Sequence, residues 1–65
     1  MDIMKSKATV TSGLFGLITA KLEDAHGVSI IGQGNLSDMG RQTVINELRT
    51  AQDEIAILLS AVELL

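Results

Sequence analysis

LITAKLEDAHGVSIIG, residues 17 to 32, reads at two periods at once, and the choice between them decides the fold. Taken as extended chain, DAHG at 24 to 27 is a type I turn closed by a glycine bulge, a common joint between antiparallel strands. That turn sets Leu22 opposite Ile30, Ala20 opposite Gly32 and Ile18 opposite Gly34. One face then carries Ile18, Ala20, Leu22, Val28 and Ile30. The other carries Thr19, Lys21, Glu23, Ser29 and Gln33, with Ile31 out of place. Taken as helix, the segment starts at a Ser12 cap, ends at Gly27 and aligns Leu14, Leu17, Ile18, Leu22 and Ala25 in one stripe. Gly13 and Gly16 oppose that alternative, at about 1 kcal/mol each in a helix interior. A one-residue slip would scramble both strand faces, so the agreement of turn type with polarity favours a β-hairpin over 14–34. Residues 7–13 supply an optional third, edge strand, and residues 1–6 are expected to be disordered.

From Leu36 the pattern is helical to the end of the chain. Ser37 suits an N-cap and Asp38 the positive end of the helix dipole. Val44, Leu48, Ala51, Ile55, Leu58, Val62 and Leu65 then alternate steps of four and three, an uninterrupted a/d seam. A helix over 36–65 is about 45 Å long at about 1.5 Å per residue, whereas strands of this size span roughly 20 to 33 Å. The helix outruns the sheet, so its last turns call for a second copy. The expected architecture is a single α+β domain, 1–65, with an antiparallel β-hairpin packed on one long C-terminal helix. A homo-oligomer interface is expected at Ala51, Ile55, Leu58, Leu59, Val62 and Leu65. The alternative is an all-α helical hairpin.

Size and composition point the same way. A domain of 65 residues buries only about 60% of its unfolded surface, and without cysteine neither a disulfide nor a thiolate metal site can staple it. Hydrophobic residues make up 46% of the chain and its mean hydropathy is +0.35, which favours self-association. The net charge is −3, and no cation follows Arg49. A nucleic-acid partner needs a basic face and is not expected. No apolar run reaches the length of a membrane span, and the opening residues lack a secretory-type apolar core. A cytoplasmic protein without a membrane partner is the expectation.

The segment VSIIGQGNLSD has the order strand, glycine turn, helix start, in which backbone N–H groups can hold an anion. Gly32, Gly34 and Ser37 are the candidate ligand-binding residues. A full dinucleotide fingerprint would add a third small residue and a second parallel strand, and a P-loop would add Gly-Lys. The same stretch resembles the second half of double-stranded RNA-binding domains, where a strand is followed by G-x-G, a serine and a helix. That family carries lysines at the helix start, where this chain has Ser37, Asp38, Met39, Gly40 and Arg41. The resemblance therefore implies the strand-to-helix layout and not RNA binding. His26 has Asp24 two residues away across a turn, and no serine has a base nearby in sequence, so no catalytic residue is assigned. Nothing in the pattern calls for a cofactor or a metal. Phe15, the sole aromatic, with Leu17 and Ile31, forms a candidate partner-binding patch. The functional expectation is a non-enzymatic protein-interaction module, a small acidic adaptor, inhibitor or assembly factor that binds itself and another protein. The alternative is an anionic-ligand or nucleotide sponge or sensor using the GQG turn.

Overall fold

The computed structural model describes residues 3–65, with side chains from Ser6 onward. Two helices, α1 (Ile3–Gly32) and α2 (Asp38–Glu63), are joined by a short link over 33–37 and lie side by side. The molecule is a ribbon of 54 × 16 × 11 Å. This is the all-α helical hairpin, and it overturns the α+β expectation: none of the described residues is in a strand. Residues 14–34, expected as a β-hairpin, and 7–13, expected as an edge strand, all lie in helix or, for Gln33 and Gly34, in the link. The strand-to-helix layout implied by the RNA-binding-domain resemblance is absent as well. Residues 3–6, expected to be disordered, belong to α1, and residues 1 and 2 lie outside the described residues.

The reason is that α2 finds within its own chain a partner of matching period and length. On α1 the residues turned inward are Thr11, Leu14, Ile18, Lys21, Ala25 and Val28, stepping three, four, three, four, three. On α2 they are Val44, Leu48, Ala51, Ile55, Leu58 and Val62, stepping four, three, four, three, four. Such spacings place one stripe on each helix, and two stripes of equal period close on one another over their full length. The strand register pairs Ala20 and Ile18 with Gly32 and Gly34, which would bury little. DAHG does not turn: Asp24 to Gly27 continue the helix, and no described residue has the positive φ that a glycine bulge requires. For the same reason the helix neither starts at Ser12 nor ends at Gly27. Three hydroxyl residues of α1 are accommodated by bonding to their own turn. Thr11 Oγ1 donates to the Lys7 carbonyl at 2.8 Å, Thr19 Oγ1 to Phe15 at 3.0 Å and Ser29 Oγ to His26 at 2.8 Å.

The link is built from helix-end chemistry. The N–H groups of Gln33 and Gly34 donate to the carbonyls of Ile30 and Ile31, each at 3.0 Å, tightening the last turn of α1. Ser37, with extended backbone, caps α2, its Oγ accepting from the Gly40 N–H at 3.1 Å. Asp38 occupies the first turn and accepts from Arg41 Nη2 at 2.6 Å.

One seam between two helices makes a thin interior. Ile18, 8% exposed, is the one buried hydrophobic residue among those described. The glycines of α1 divide by surroundings. A Cβ on Gly13, Gly16 or Gly27 would meet nothing within 4 Å, whereas one on Gly32 would stand 3.1 Å from Val44 Cγ1. Gly27→Ala is therefore expected to stabilise the hairpin by about 0.5–1 kcal/mol through helix propensity alone. Gly32→Ala, which must push Val44 aside, should gain less or lose. Urea melts of the two variants beside the parent check this, and a loss at Gly27 would mean that another backbone approaches there.

Candidate functional site

Three places on the hairpin carry chemistry. The first is the cleft beside the link, where Ser29, Gly32, Leu36, Arg41, Ile45 and Leu48 surround about 620 Å³. The candidate ligand residues Gly32, Gly34 and Ser37 all lie at this end. Their polar groups are already engaged: the N–H groups of Gln33, Gly34 and Leu36 bond to carbonyls of the same turn, and Ser37 Oγ caps α2. The cation of the cleft, Arg41, is paired with Asp38, whose carboxylate sits at the helix N-terminus where an anion would go. His26 and Asp24 are exposed on α1, and Ser29 Oγ bonds to the His26 carbonyl rather than to its ring. Among the described residues no three His, Cys, Asp or Glu side chains come together to hold a metal, and no helix is long and apolar enough to cross a membrane.

The other two places are the long edges of the ribbon, one on each side of the seam. Residues seven apart fall in line along a helix, so each edge is a pair of rows. On the first edge α1 contributes Phe15, Leu22 and Ser29, and α2 contributes Ile45, Gln52 and Leu59. Phe15, Leu22, Ile45 and Leu59 are all exposed, and none of the six residues is charged. On the second edge α1 contributes Val10, Leu17, Asp24 and Ile31, and α2 contributes Glu47, Glu54 and Ala61. Leu17 with Ile57 and Leu58 walls a shallow apolar groove there, but Lys21 and Glu54 cross it as an ion pair, and Asp24 and Glu47 stand alongside.

The residues singled out from sequence distribute over these features. Ala51, Ile55, Leu58 and Val62, expected between copies, are half-buried on the side of α2 that faces α1, while Leu59 and Leu65 are exposed. Phe15, Leu17 and Ile31, expected as one patch, are exposed but divided, Phe15 on the first edge and the other two on the second. Leu22 and Ile45 complete the first edge and were hidden in sequence, because the strand register places Leu22 on an inner face and an edge exists only once two helices are paired.

The ion pair has a measurable signature. Its hydrogen bond to Glu54, followed by the Glu54 charge, raises the Lys21 ammonium above its usual 10.5. A raised lysine contributes stability that is fully present below the unfolded value and is lost as pH rises through the higher folded one. As pH rises past 10.5 the parent should lose melting temperature faster than Glu54→Gln, in which the pair is absent. Equal alkaline losses would show that the pair does not hold the helices together.

No protein-family model, no curated protein and no solved structure matches the chain, which leaves its own surface chemistry as the ground for a functional reading.

Proposed function

We propose that this hairpin is a non-enzymatic protein-interaction module that works as a homo-oligomer, a small acidic adaptor, inhibitor or assembly factor. The observation that carries the proposal is its surface. A folded monomer of 6.9 kDa exposes about 4,000 Å², whereas this chain exposes 5154 Å². It buries about half of what its unfolded chain would expose, short of the roughly 60% typical for this size. With one buried hydrophobic side chain among the described residues and no cysteine to form a disulfide, association is a natural source of further stability. Association covers apolar edges and leaves an acidic exterior, drawn from Asp24, Glu47, Asp53 and Glu63, for contact with a further protein.

Folding and assembly are then one equilibrium. The melting temperature should rise with protein concentration between about 1 and 100 μM, and native mass spectrometry should report dimers or larger species across that range. A helical monomer whose melting temperature ignores concentration would sink the proposal.

A further inference from the structure

We infer that the first edge, the uncharged one, is where a second copy of this chain docks, so that two hairpins stack face to face and four helices share one core. The inference rests on the oligomeric reading above and adds the face and the partner. Area supplies the first support. The surplus exposure over the whole chain, about 1,150 Å², is enough to supply the approximately 800 Å² that each partner commits to a stable interface.

Charge decides between the edges. Both present apolar side chains, and Leu17 on the second is as exposed as Leu22 on the first, 54% against 55%. Two copies meeting through second edges would enclose Asp24, Glu47 and Glu54 of both chains in one interface. These carboxylates share one cation, Lys21, which Glu54 already holds. Like charges placed opposite one another are a device that proteins use to reject a pairing. Two copies meeting through first edges bring together Phe15, Leu22, Ile45 and Leu59 with Ser29 and Gln52, and the charge nearest them, Arg41 in the cleft beside Ser29 and Ile45, is already paired with Asp38. Each hairpin also supplies the seam between its rows, so the half-buried Leu48 and Ile55 pass from a thin two-helix seam to the middle of a bundle.

The natural chain has no cysteine, so one introduced thiol reports on one place. Leu22→Cys and Leu17→Cys are alkylated with a bulky maleimide at a concentration where native mass spectrometry finds each variant assembled. In a lone hairpin the two thiols are equally open. The expected result is that Leu22→Cys reacts at least about tenfold more slowly than Leu17→Cys, and that dilution to monomer removes the difference. Equal rates in the assembled protein, or protection of Leu17→Cys alone, overturn the assignment of the face while leaving the oligomeric reading intact. Failure to find any assembled species overturns both.

Discussion

The constraint on which the rest of this structure depends is a match of period between two stripes. Thr11 through Val28 and Val44 through Val62 both advance by threes and fours, and they meet antiparallel because the link over 33–37 is too short to return for a parallel pairing. Among the described residues the side chains turned from one helix toward the other lie along that one line. A single line between two cylinders leaves each cylinder open on both flanks, and this is why apolar residues remain along both edges of the ribbon.

Composition sets how the two flanks differ. The row Asp24, Glu47 and Glu54 gives one edge a carboxylate-rich margin with Lys21 inside it, and the row Leu22, Ser29 and Gln52 leaves the other neutral. The Lys21–Glu54 pair is partly exposed, and pairs of that kind add little net stability. The pair still bears on alignment, since a slip of one heptad toward Ala61 would lose it, whereas the opposite slip would offer Lys21 the Glu47 carboxylate instead. Together with the Gly32–Val44 approach, it marks the same alignment at two points along the ribbon.

The second helix was legible from sequence and the first was not, for reasons that lie in particular residues. α2 shows an unbroken apolar seam and a Ser37–Asp38 start, and both appear in the structure. In α1 the seam includes Thr11 and Lys21, so a search for apolar periodicity drifts to Leu17 and Leu22, which lie on the flanks. Alternation between Ile18 and Ile30 then offers a rival period, and Gly13 and Gly16 weigh against helix by about 1 kcal/mol each. What outweighs them is the tertiary seam, and no local propensity contains it. One clue was present: a helix of about 45 Å with strands too short to cover it. A helix of equal length removes that mismatch, and α1 supplies it. The candidate patch was half legible, because Phe15, Leu17 and Ile31 announce themselves as exposed apolar residues while their division between two edges is a property of the paired helices.

The link that joins the helices also ranks their contacts by the chain each must close. Each α1–α2 contact closes a loop through residues 33–37, and the loop grows from Gly32–Val44 at the near end to Lys21–Glu54 further out, with the inward-facing Thr11 and Val62 nearer the termini. Loop-closure entropy rises with length, so contacts near the link cost least to close and those near the termini most. Contacts of this kind are local for a tertiary fold, and local contacts form fast. Amide protection should therefore decline along the ribbon away from the link, a gradient written into the chain by where its two helices are tied.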